Sequence, residues 1–222
     1  ISIYKPFQPL HHPSNPEYFY LTAKASNNIN LINAINKFKL CTEMYFIDSM
    51  SLHEEVDWKT TEYTYIQIKF AYAIIFAYSI VEELCLEIRA SKEKPSHKPN
   101  GDWNTETLQN LLNRLKKANI NVNKPIVWMA RGEPTENEIK RRVKIEKRAE
   151  WADSPEYKDD ISFFIDDGYP YLPDAICYIS YLRSKIASHR VGEKIYGLSV
   201  FDVANAQHLA RRLILESVGM WG

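Results

Sequence analysis

Residues 60–88 read TTEYTYIQIKFAYAIIFAYSIVEELCLEI, and their periodicity decides the fold class. Ile66, Phe70, Ala73, Ala77, Val81, Leu84 and Ile88 recur at steps of three and four over more than six turns. That spacing puts one apolar stripe along an α-helix of roughly 28 residues. The longest apolar run inside it, Phe70 to Val81 with only Ser79 interrupting, spans twelve residues, too short to cross a bilayer. We therefore expect a cytoplasmic protein with no membrane partner.

Downstream the chain keeps to helical signals. A polar stretch from Ser91 to Gly101 reads as a mobile loop. Asn104 can cap a helix running through Lys117. Thr135 and Glu138, behind Pro134, form a capping-box pattern for a helix to about Trp151. Asp166-Asp167-Gly168-Tyr169-Pro170 is turn chemistry. Pro173 and Asp174 open another helix, and Ser199 with Asp202 resembles a second capping box, ahead of a last helix with Val203, Ala206, Ala210, Leu213 and Ile214 on its apolar side. The expectation is an all-α helical bundle of four to five main helices over residues 59–222.

The first 58 residues read differently. Pro6, Pro9, Pro13 and Pro16 stand among aromatics, which suggests an extended arm with one short strand over residues 1–26. Ser26 to Phe38 carries Ile29, Ile32 and Ile35 at helical spacing, while Lys39 to Met50 fits strand or helix equally. We take residues 1–58 as an extended or mixed N-terminal appendage, or the end of a preceding domain. The first residue is Ile1, not Met, so more chain is expected before it.

Composition narrows the chemistry. Of 222 residues, 45% are hydrophobic and 25% charged, with formal net charge zero, so any nucleic-acid contact must come from a local patch. Only 7 glycines occur, and no GxxxxGK or GxGxxG phosphate loop. Cys41, Cys85 and Cys177 are widely spaced and read as small buried hydrophobes in a reducing compartment. No metal or other cofactor is expected. His53-Glu54-Glu55-Val56-Asp57 lacks the helical spacing of a zinc site, and His11-His12 stand alone in the arm. Tyr63, Tyr65, Tyr72 and Tyr78 on the long helix read as packing more readily than as base-stacking platforms.

One departure from pattern is chemically pointed. In Leu182-Arg183-Ser184-Lys185-Ile186-Ala187-Ser188-His189, the stripe Ile176, Ile179, Ile186 places Arg183 where an apolar residue belongs. A desolvated guanidinium must be partnered or used. Six residues on, His189 stands just before Arg190-Val191-Gly192, where the helix should stop. An Arg to neutralise a phosphate and a His to move a proton suffice to cleave RNA without a metal. On a straight α-helix the two side chains lie about 120° apart, so the helix must end between them or a second subunit must complete the site. The competing structural reading pairs Arg183 with Glu82, Glu83 or Glu87 on the long helix and leaves His189 to cap its own helix end.

A helical bundle with Arg183, the polar Ser184 and His189 late in its penultimate helix resembles the HEPN superfamily (higher eukaryotes and prokaryotes nucleotide-binding domains) over about residues 60–218. Ser184 departs from the commoner Asn or Asp at that place. The resemblance implies a metal-independent endoribonuclease, a toxin or antiviral defence effector, in which the substrate's 2′-hydroxyl attacks the adjacent phosphorus. His189 would be general base or acid, Arg183 would stabilise the phosphorane charge, and Ser184 would orient the phosphate or the Arg. It implies an RNA substrate, a homodimer, and an antitoxin or upstream domain as further partner. The basic run Lys140-Arg141-Arg142-Val143-Lys144-Ile145-Glu146-Lys147-Arg148 reads first as a solvated helix face. Its Lys140, Arg141 and Lys144, with Arg190, are the candidate RNA-backbone contacts. The alternative is a non-catalytic HEPN-like module that binds RNA, nucleotide or a protein partner.

Overall fold

A computed structural model describes residues 16–46, 61–91, 93–98, 102–128, 170–187, 198 and 200–221. Among these the chain forms six α-helices: α1 (Pro16–Ala25), α2 (Ile29–Met44), α3 (Thr61–Glu83), α4 (Thr105–Lys117), α5 (Leu172–Tyr181) and α6 (Val200–Ser217). A π-helical stretch, Leu182–Ala187, continues α5 directly. Among the described residues no strand forms; one antiparallel bridge joins His97 to Trp103. The all-α bundle expected from the periodicity is what forms.

α3 is the hub, packed on α2, α6, α5 and the π-helical stretch. Its core side is Phe70, Ala73, Ile74, Ala77, Ile80 and Val81, all buried. The last helix buries the expected Val203, Ala206, Ala210, Leu213 and Ile214 against it. Tyr65–Glu83 is long and apolar enough to cross a membrane by length and composition, but half of it lies inside this bundle, as the core helix of a globular fold also would.

The helix ends share one device. After α3, Cys85 takes a left-handed conformation (φ 57°) while its N–H bonds to the Glu82 carbonyl and that of Leu86 reaches back to Val81. Asn119 (φ 60°) ends α4 the same way, and Gly219 (φ 75°) ends α6. These are Schellman turns. The one at Cys85 stops α3 at Glu83, so the stripe expected to run through Leu84 to Ile88 ends early. The residue after the turn, Leu86, is driven into the core, which outweighs the steric cost of a left-handed cysteine. At the other end of α4, Asn104 caps as expected, its side-chain oxygen accepting from the N–H groups of Glu106 and Thr107.

Several expectations need correction; Cys41 and Cys177 are buried as expected, but Cys85 is exposed. Residues 16–25, expected extended, are helix α1. Pro16 opens it at the first helical position, where the missing N–H costs nothing. The ambiguous stretch from Lys39 continues α2 to Met44, with Cys41 buried and Gln207 of α6 donating to the Tyr45 carbonyl at 2.7 Å. Helix α2 therefore shares the common core instead of lying in an appendage. The loop after α3 was expected to be mobile, yet Ser96 and His97 are buried, the His97 ring lying 4.1 Å from that of Trp103. The helix expected over residues 135–151 and the turn at residues 166–169 lie outside the described residues.

Candidate functional site: an arginine at the exit of the core

The site begins with the burial of α5. Leu172 to Ile179 are all buried, so the helix runs through the bundle and emerges only at Ser180. Asp174 in its first turn accepts from the Trp103 indole at 2.8 Å, and Tyr178 donates to Asp202 at 2.8 Å. These buried hydrogen bonds set where the exposed end of α5 comes out.

There the helix changes pitch. The buried positions run Ile176, Ile179 and Leu182, not Arg183. Leu182, still in α-helical geometry (φ −56°, ψ −45°), fills the inner position, and Arg183 stands at the rim where the helix leaves the core. The arginine is thus not a guanidinium forced into an apolar core. Residues 182–187 take π pitch, and His189, the other end of the expected 120° offset, lies outside the described residues.

Arg183 has two neighbours across α3. Its Nη2 is 3.2 Å from Glu82 Oε1, and its guanidinium lies over the Tyr78 ring, 5.5 Å from the centroid. The pair is open to water, with side-chain exposures of 40% and 41%. Tyr78 itself is buried. Burial raises its phenol pKa, the Ser180 hydrogen bond opposes the shift, Glu82 adds to it and Arg183 opposes it. The phenol therefore stays neutral and offers the cation an uncharged π face.

Of the three carboxylates that could have paired with Arg183, only Glu82 does. Glu83 is held by Lys37 at 2.6 Å, which keeps its carboxyl below the usual range. Glu87 is held by Arg89 at 2.7 Å. Arg114 spends its fork on the end of α3, donating to the carbonyls of Cys85 and Glu87 at 2.7 and 2.6 Å.

Ser184 is half-buried, and its Oγ donates back to the Ser180 carbonyl at 2.8 Å. That is the usual bond of a serine inside a helix, and it turns the hydroxyl proton away from any phosphate at Arg183. His189 and Arg190 lie outside the described residues, as do Lys140, Arg141 and Lys144. Among the described residues no group of three or more His, Cys, Asp or Glu side chains gathers as a metal site would require. The contact that sequence reading missed is Tyr78. The sequence marks it only as a packing tyrosine, and the third dimension puts its face under Arg183.

Comparison of the chain with protein-family models, curated proteins and solved structures finds no match.

Proposed function

We propose that the chain is a metal-independent endoribonuclease of HEPN type, acting in the cytoplasm as a toxin or antiviral effector and as a homodimer. The observation that carries this reading is the state of Arg183. It is a cation at the mouth of the core, floored by an aromatic ring and held, among the described residues, by a single water-exposed carboxylate. An exposed ion pair contributes about 0–1 kcal/mol. A phosphate offers the same guanidinium two parallel charge-assisted hydrogen bonds. Substrate can therefore displace Glu82 at little cost.

In the reaction the 2′-hydroxyl of the substrate attacks the adjacent phosphorus and loses its proton, and the 5′-oxygen leaves and takes one up. The products are a 2′,3′-cyclic phosphate and a 5′-hydroxyl. His189 performs one of the two proton transfers, for which a pKa near neutrality is suited. Arg183 stabilises the charge that builds on the phosphorane. Ser184, its proton held by Ser180, acts through the shape of the turn that presents Arg183. Lys140, Arg141, Lys144 and Arg190 supply the local positive charge that a neutral chain needs to hold RNA. An antitoxin or an upstream domain is a further partner in this reading.

The second reading is a non-catalytic module that binds RNA, nucleotide or a protein. The occupation of Arg183 by Glu82 and the inward bond of Ser184 favour it. One experiment separates the two. RNA incubated with the wild-type chain in EDTA should yield fragments ending in a 2′,3′-cyclic phosphate or its hydrolysed form, and folded His189→Ala protein should not cleave. Equal cleavage by His189→Ala, or loss of wild-type cleavage on chelation, would refute the enzymatic reading.

A further inference from the structure

The outer side of α3 is patterned for a partner. Tyr65, Ile68, Tyr72, Ile75, Ser79 and Glu82 follow one another at alternating steps of three and four, the spacing of a coiled-coil seam. Tyr65 and Tyr72, which sequence reading assigned to packing, are 59% and 52% exposed. Ile68, between them, and Ile75, after Tyr72, are half-buried. On one flank Lys37 of α2 closes on Glu83, and on the other Arg183 closes on Glu82. Among the described residues the stripe is thus a partly exposed, largely apolar path that ends at the candidate site.

We propose that this stripe is a two-fold seam, in which α3 packs antiparallel against α3 of a second copy and brings the partner's Tyr65 to Glu82, beside Arg183. A symmetric contact must be self-complementary, and the stripe is so in only one direction. With the axis midway between Tyr72 and Ile75, Tyr72 meets the partner's Ile75. Ile68 then meets the partner's Ser79, and Tyr65 meets the partner's Glu82. The middle is apolar, and each end joins a phenol donor to a carboxylate. Lys69, whose Nζ lies over the Tyr65 ring at 4.7 Å, arrives at the same end. A parallel pairing would set Glu82 against the partner's Glu82, which like charge disfavours. A nucleic-acid strand is a poorer occupant, because the path leads its phosphates onto Glu82 and Glu83.

The seam bears on the site. Glu82, engaged by the partner's Tyr65 and Lys69, competes less for Arg183, so assembly frees the guanidinium for phosphate. This last step rests on the reading of Arg183 as a phosphate group's partner; the seam itself does not.

Cys85 supplies the test, being exposed while Cys41 and Cys177 are buried. A spin label on Cys85 of the full chain should report a distance of about 35 Å between copies, from the helical rise on either side of the axis. Parallel helices would bring the labels to ~10 Å. Tyr72→Glu, a change at an exposed position, should abolish the coupling and give a monomer by light scattering with unchanged helical circular dichroism. A monomeric wild type, a short distance, or a dimer that survives Tyr72→Glu would each overturn the proposal. So would a monomer whose binding to single-stranded oligouridylate falls in Tyr72→Glu, which would assign the stripe to RNA. None of these readouts depends on cleavage, so the seam and the ribonuclease reading fail separately.

Discussion

The π-helical stretch after α5 and helix α6 each contribute an arginine that pairs with a glutamate, and the two pairs behave as different chemical objects. Arg212 and Glu216, on successive turns of α6, are 2.8 Å apart with side chains 2% and 5% exposed. The remaining donors of Arg212 go to the carbonyls of Pro125, Lys124 and Asn121 at 2.7, 2.9 and 3.1 Å, and Glu216 accepts from the Asn121 N–H at 2.8 Å. Every part of that pair is committed, and it ties the chain after α4 onto α6. Arg183 and Glu82 make one contact at 3.2 Å in water. The same two residue types thus build a lock in one place and a displaceable latch in the other. Burial and the number of satisfied donors decide which.

The largest effect should come from breaking the lock. Arg212→Leu leaves Glu216 buried and three carbonyls without their donor, and should cost about 3–5 kcal/mol in urea unfolding. A loss below 1 kcal/mol would place the two pairs in one class after all. At the latch, Glu82→Gln should change stability by no more than ~1 kcal/mol. It should tighten binding of a non-cleavable 2′-deoxy oligonucleotide several-fold, because the competing carboxylate is gone. Unchanged or weaker binding would mean that Glu82 positions Arg183 instead of competing for it.

A smaller effect is pH-dependent and belongs to the region of the lock. Burial, with Arg211 and Arg212 adding to it, pushes His208 from its ordinary 6.5 down to about 4. Between those values the unfolded chain binds a proton that the folded chain refuses. Stability contributed by the neutral ring is therefore complete above about 6.5 and is lost as pH falls toward about 4. His208→Gln should flatten that part of the stability–pH curve. An unchanged slope would assign the acid sensitivity to other groups.

The two regions also differ in how far they could be read in advance. The α4 cap at Asn104 and the buried stripe of α6 follow from propensity and period alone, because side chain and backbone agree there. α3 was expected to run on to Ile88. Nothing local marks Cys85 as a left-handed residue, and only the burial of Leu86 explains the stop. α1 was missed because three other prolines, Pro6, Pro9 and Pro13, outweighed the one that can open a helix. At the site, the anomaly of Arg183 was visible as an arginine on an apolar stripe, but its cause was not. The helix leaves the core at this point, with Leu182 buried and Arg183 at the rim, and a sequence period does not mark where a helix emerges. The competition among Glu82, Glu83 and Glu87 was likewise open in the sequence. It is settled by Lys37 and Arg89, which occupy the other two.

The most direct test of the latch compares stability and rate in one variant. Arg183→Ala should keep its urea midpoint within the equivalent of ~1 kcal/mol of wild type. Its RNA cleavage should fall by about 10²–10³-fold, the cost of removing one charge-stabilising group. A folded Arg183→Ala protein that cleaves as fast as wild type, or one that unfolds as readily as Arg212→Leu, would contradict the assignment of Arg183 to function.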